Sequence, residues 1–300
     1  MLTSSINGRF GKFIFIEPLL LLVAFFWGTS YGLTKEALLY APIFVFMLLR
    51  FSLTFFLMLP ILINDFRLGL NKDWKTAIPT GVILSAIFFF EVFGVSKTTA
   101  SNAAFLISLS VIFTAFAERL INKKKVSSAL YFLTLVSVIG VFMLTWNFEK
   151  SYKLNEGDYL ILCAALLRAL MVTVTKRVSE GKVISTSSMT ALQSFIVAVV
   201  SGVMAISFLP VSEIGLPLDM NFWWIIFYLV LFCTLFAFYV QNYAVRKTSP
   251  TRVSILMGSE PFFGALFAVV WLQESLSIIQ LIGGILIVTC VLVTSVRVSI

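Results

Sequence analysis

Residues 247–266 read KTSPTRVSILMGSEPFFGAL, an apolar run that carries a glutamate and a proline side by side, Glu260 and Pro261, near its middle. Residues 97–116, KTTASNAAFLISLSVIFTAF, open in the same way 150 positions earlier. Lys97, Thr98, Leu106, Phe113 and Ala115 are matched by Lys247, Thr248, Leu256, Phe263 and Ala265. At an offset of 141, Ala24 pairs with Ala165, Thr34 with Thr175 and Lys35 with Lys176. The chain therefore reads as two related halves, 1–148 and 149–300, and the way the halves are set against each other decides the fold.

Composition fixes the surroundings. With 60% hydrophobic and 12% charged residues and a mean hydropathy of +1.02, the 300 residues cannot cover a water-soluble globule with polar surface. A helix needs about 20 mostly apolar residues to cross the hydrocarbon core. Ten such runs follow one another, at 17–38, 42–64, 77–96, 99–121, 127–146, 158–178, 187–209, 221–244, 250–272 and 277–296. The expectation is an all-α integral membrane protein with ten transmembrane helices and no soluble domain. Arg9 and Lys12 lead into the first run without a small-residue cleavage pattern, so an uncleaved first span is expected. Cys163, Cys233 and Cys290 each sit inside an apolar run and read as buried packing residues.

An even number of spans puts both termini on one side. With the N-terminus in the cytoplasm, 16 of the 22 basic residues fall in cytoplasmic segments, against Lys35, Lys97, Lys150 and Lys153 outside and Arg50 and Arg168 within spans. That bias predicts a multi-pass protein of the inner (plasma) membrane with both termini cytoplasmic. Five spans, an odd number, separate each element from its copy, so the five-helix halves insert in opposite directions. Inverted repeats can form inward-open and outward-open states of similar energy around a site at mid-membrane, which points to transport by alternating access.

The segment AFFWGTSYGLTKEAL from Ala24, the LLRF containing Arg50, and SEPFFGALFAVVWLQESLSIIQLIGGILI from Ser259 together resemble the EamA branch of the drug/metabolite transporter superfamily. The resemblance implies a ten-helix carrier of inverted five-helix repeats that moves amino acids and related small metabolites, often outward. The sequence departs from the family pattern at Arg168, where a tryptophan is usual in the second half, and at Lys124, where the first half usually has a glutamate equivalent to Glu274.

An ionised carboxylate at mid-membrane has to face the bundle interior or water and have a partner. Pro261 removes a helical hydrogen bond and frees a carbonyl near Met257, and a broken helix at that depth also belongs inside. Arg168, midway along the sixth span, lies at a similar depth to Glu260, so the two are expected to pair or to be bridged by substrate. Trp27 and Tyr31, one helical turn apart, and Tyr239 with Asn242 in the eighth span are candidates for the rest of a substrate site. Arg50 and Glu91 both fall in the outer half and form a candidate external gate. Glu118, beside Arg119, reads as interfacial. All four aspartates, Asp65, Asp73, Asp158 and Asp219, are placed in loops. Gly28 and Gly32 spell a small-xxx-small packing motif.

These residues predict a secondary transporter for an amino acid or related metabolite, in the export direction. Its partners are a small-molecule substrate, the lipid bilayer and protons as a candidate coupling ion; no nucleic acid is expected, and the state is a monomer or weak dimer. Neither cofactor nor metal is expected. The chain has no histidine, no phosphate-cradling glycine loop and no carboxylate cluster, so an enzyme is not expected. The alternative is a channel-like or lipid-moving membrane protein.

Overall fold

The computed structural model describes residues 16–145, 154–272 and 277–297. Arg9, Lys12, Lys150, Lys153 and Glu274 lie outside the described residues. The described chain is helical: α1 (Ile16–Ala37), α2 (Ile43–Arg67), α3 (Ala77–Lys97), α4 (Ala100–Ser108), α5 (Ser110–Ile121), α6 (Ser128–Thr145), α7 (Glu156–Ser179) and α8 (Thr186–Phe208). Then come α9 (Met220–Tyr228), a π-helical stretch over Leu229–Phe236, α10 (Ala237–Lys247), α11 (Pro250–Met257), α12 (Glu260–Leu272) and α13 (Ile278–Arg297). Seven helical stretches are long and apolar enough to cross a membrane, while Ser128–Leu144 and Ile278–Thr294 are shorter apolar helices.

Two expected spans are interrupted by a turn, and the eighth changes to π-helix over Leu229–Phe236. The fourth is interrupted at Leu109, between α4 and α5, and the ninth at Gly258 and Ser259, between α11 and α12. Leu109 and Ser259 are 150 positions apart, the offset of the sequence repeat. Near each break a serine hydroxyl turns back on its own helix: Ser108 Oγ donates to the Phe105 carbonyl at 2.6 Å and Ser259 Oγ to the Leu256 carbonyl at 2.7 Å. Their starts match as well. Thr99 caps α4 by accepting from the Asn102 N–H, and Ser249 caps α11 by accepting from the Arg252 N–H. Pro261 falls in the first turn of α12, where its missing N–H costs least.

The longest contacts run α2 against α8, α3 against α7 and α6 against α13. Gly140 and Gly283 let the backbones of α6 and α13 meet, since a Cβ on either would come within 3 Å of the other's carbonyl oxygen. The chain ends of the helices sort into two sets. At one end, Lys35 Nζ donates to the Thr98 carbonyl at 2.8 Å, Thr98 Oγ1 donates to Asp158 at 2.6 Å and Lys97 pairs with Glu156 at 2.8 Å. At the other end, Glu17 pairs with Arg252, Lys124 with Glu180 and Lys182 with Asp73. Glu17 and Lys35 open and close α1, about 27 Å apart at 1.5 Å per residue.

Several sequence expectations are corrected. Asp65 lies within α2, buried, and accepts from the Ser185 and Ser188 hydroxyls. Asp158 lies in the first turn of α7, in a capping box with Asn155. Glu118 is buried, not interfacial: it accepts from both the N–H and the hydroxyl of Thr251, satisfying the start of α11. Cys163 is exposed, whereas Cys233 and Cys290 are buried, and all three are free thiols.

Candidate functional site

Arg168, on α7, is the hub of a largely buried charge cluster. Its Nη1 donates to Glu260 Oε1 at 3.1 Å, and its Nε lies 3.7 Å from Glu91 Oε2 on α3. Tyr31 Oη donates to Glu260 Oε2 at 2.8 Å. The guanidinium carbon stands 4.3 Å from the centre of the Trp27 ring, a cation–π contact. Trp27 is itself fixed by its Nε1, which donates to the Cys233 carbonyl at 2.9 Å in the π-helical stretch. Four elements thus meet on one cation, and its bonds leave both carboxylates partnered.

Local chain geometry explains why Glu260 can sit there. It is the first residue of α12, immediately after the break, so its carboxylate lies at the positive end of a half-helix. Gly28 lets α1 come close enough for Tyr31 and Trp27 to reach: a Cβ there would lie 2.7 Å from the Glu260 carbonyl oxygen and 3.0 Å from the Gly264 nitrogen. A Cβ at Gly32 would meet nothing within 4 Å, so only the first glycine of the pair packs tightly.

Two small cavities flank the cluster. One, of about 20 Å³, is bordered by Trp27, Ser30, Arg50, Glu91, Arg168 and Gln241; the other, of about 30 Å³, by Ser110, Arg168, Val172, Gln241, Ser254 and Glu260. Each has room for a water molecule or two and not for an organic metabolite.

Of the expected site residues, Glu260, Arg168, Trp27 and Tyr31 are brought together, and Glu91 joins them through Arg168 rather than Arg50. Arg50 makes no ion pair with Glu91, although both border the smaller cavity; its Nε donates to Thr234 Oγ1 at 2.8 Å. Asn242 is buried but turns to α8, where its Nδ2 donates to Thr190 at 3.0 Å and to Gln193 at 2.8 Å. Tyr239 is 38% exposed and stacks on Tyr243, away from the cluster. Gln241 borders both cavities and is the polar eighth-span side chain that lines them. The repeat offsets point to it: Gln241 is Glu91 plus 150, Glu260 is Ser110 plus 150, and Arg168 is Trp27 plus 141. At each of these three paired positions one half supplies a charged side chain and the other a neutral one.

A wider cleft of about 400 Å³ opens between α6, α12 and α13, bordered by Leu144, Phe262, Leu266, Leu281, Ile285 and Gln280 among others. None of the clustered charges borders it.

Comparison with known proteins places these features in context. The EamA-like transporter family matches the chain twice, over residues 14–146 and 155–296. A protein of Archaeoglobus fulgidus described as an uncharacterized transporter is 26% identical over 289 residues, covering 96% of this chain and 88% of the relative. A Chlamydia trachomatis protein described as an S-adenosylmethionine/S-adenosylhomocysteine transporter is 27% identical over 279 residues, covering 86% of this chain and 82% of the relative. One solved crystal structure matches with a TM-score of 0.76 at 16% identity, covering 94% of this chain and 96% of that one, a likeness of fold alone.

Proposed function

The chain belongs to the EamA-like transporter family of the drug/metabolite transporter superfamily, a multi-pass membrane family, and from that premise we propose that it is a secondary transporter working by alternating access. Its cargo is an amino acid or a related small metabolite, moved in the export direction across the inner membrane, with both termini cytoplasmic. The observation that carries this proposal is the Glu260–Arg168–Glu91 cluster, buried where both halves of the chain meet and placed beside a helix break.

Ten spans in two inverted repeats, 1–148 and 149–300, are the architecture that suits this mechanism. Matched residues do matched jobs at opposite ends: Lys35 donates to the Thr98 carbonyl at the end of α3, and its counterpart Lys176 donates to the Arg246 carbonyl near the end of α10. The packing of α5 on α7 has its counterpart in that of α12 on α1. An amino-acid-like cargo fits a site holding both a guanidinium and carboxylates, and the chlamydial relative's described substrates carry an amino-acid group. Movement of lipid would favour charges along an opening to the bilayer; the wide cleft between α6, α12 and α13 is lined mainly by apolar side chains and by none of the clustered charges, which supports the carrier over that alternative.

Counterflow tests the proposal. Proteoliposomes preloaded with unlabelled methionine, tryptophan or S-adenosylmethionine should take up the same labelled compound faster than empty ones, and with saturation. Uptake that is linear in concentration and indifferent to preloading would mean a channel instead.

A further inference from the structure

Arg50, on α2, is 4% exposed, and no carboxylate lies within ion-pairing distance of it among the described residues. Its Nε donates to Thr234 Oγ1, and its guanidinium carbon stands 5.0 Å from the Phe88 ring centre and 5.8 Å from that of Phe51. Its two terminal nitrogens donate to no described group. The side chain nonetheless borders the cavity it shares with Glu91, Arg168 and Gln241.

Burying a guanidinium without a counter-charge is costly, and cation–π contact with two phenyl rings offsets that only in part. In a membrane protein such a residue persists where a ligand or an ion path uses it. Thr234 holds the fork in place from the π-helical stretch, where its own hydroxyl donates to the Leu229 carbonyl five residues back. The lone pairs of that hydroxyl are thereby directed to Arg50 Nε, and the edge carrying the terminal nitrogens is left for an oxyanion.

We propose that Arg50 is the carboxylate subsite of the transporter, so that the cargo is a zwitterionic α-amino acid or a derivative that keeps its amino-acid group. The assignment rests on the transport function proposed above. In the opened carrier, where this cavity of about 20 Å³ has widened, the cargo's carboxylate takes the fork in a bidentate pair and its ammonium faces Glu91. Charge bookkeeping selects this class: Arg50 and Arg168 against Glu91 and Glu260 sum to zero, so a net-neutral zwitterion leaves the closed site neutral. A phosphate dianion would sit unbalanced beside two carboxylates, and a plain amine would leave Arg50 unmatched.

The test compares labelled methionine, its methyl ester and its decarboxylated amine, and S-adenosylhomocysteine with its decarboxylated form, using the full chain in proteoliposomes. The expected result is a preference for each acid over its amine or ester of about tenfold or more, which Arg50→Gln abolishes and Arg50→Lys, keeping charge but losing the fork, reduces partway. Arg50→Lys also serves as the control if Arg50→Gln does not fold. Transport of acid, ester and amine at equal rates by the unaltered protein, or an unchanged preference in Arg50→Gln, overturns the carboxylate assignment and leaves the carrier standing. Failure of every probe to show counterflow in the unaltered protein brings down the transport proposal, and this assignment with it.

Discussion

Arg168 touches both Glu260 and Glu91, so removing different members of the cluster has unequal consequences. Arg168→Gln leaves the buried Glu260 and the partly buried Glu91 without their shared cation, and should destabilise the protein by about 3–5 kcal/mol. Glu260→Gln leaves Arg168 with Glu91 and keeps a hydrogen-bonding amide for Tyr31, so a loss of about 1–2 kcal/mol is expected. Thermal unfolding in detergent should rank the variants in that order; equal shifts would mean that Glu91 is no real partner of Arg168. Counting residues from the helix ends was enough to bring Glu260 and Arg168 together, because depth in the membrane follows from position along the chain. It was not enough for Arg50 and Glu91, or for Tyr239 and Asn242, because depth says nothing about the direction in which a side chain leaves its helix. In α10 that direction sends Gln241 to the cavities, Asn242 to Thr190 and Gln193 on α8, and Tyr239 outward.

Elements are where the repeat left its clearest mark. The breaks at Leu109 and Ser259 share an offset, yet only the second carries the glutamate and proline that announce it in the sequence. At the first, LISLSVIF holds neither proline nor glycine and reads as a continuous span, since nothing local signals an interruption there. The π-helical stretch in the eighth span was equally silent, since a run such as LVLFCTLF satisfies any apolar helix. Gly28 and Gly32 show what the small-residue pattern could and could not tell. Gly28→Ala forces the backbones of α1 and α12 apart at Glu260, and should cost about 1–3 kcal/mol along with transport activity. Gly32→Ala meets open space within a helix and should be neutral or stabilising by up to about 1 kcal/mol. Paired melting curves and counterflow rates would check this; a harmless Gly28→Ala would mean that the α1–α12 contact is not what holds the site.

Across the whole molecule, closure at the two ends is built from different materials. At the end where α1 begins, the Glu17–Arg252 pair ties α1 to α11 with side chains 14% and 6% exposed, and the buried Glu118 secures Thr251 beside it. At the opposite end the bridging ion pair, Lys97–Glu156, is open to solvent at 43% and 74%, and such pairs contribute little. Among the described residues, the buried Thr98–Asp158 hydrogen bond, between the corner after α3 and the start of α7, and the Lys35–Thr98 bond are the better-shielded links there. In an alternating-access carrier these ends are the two gates, and each population is set by what the closed gate stabilises. Glu17→Gln removes a mostly buried charge partner and so should favour opening at the α1 start. A cysteine at Val172, which borders the cavity beside Glu260, reports that opening in a background with the three native cysteines replaced. Its reaction with a membrane-impermeant maleimide from the cytoplasmic side should speed up about tenfold or more in Glu17→Gln, each factor of ten corresponding to about 1.4 kcal/mol of gate stability. Faster labelling from the opposite side instead would invert the proposed topology, and an unchanged rate from both would make Glu17–Arg252 a packing contact and not a gate.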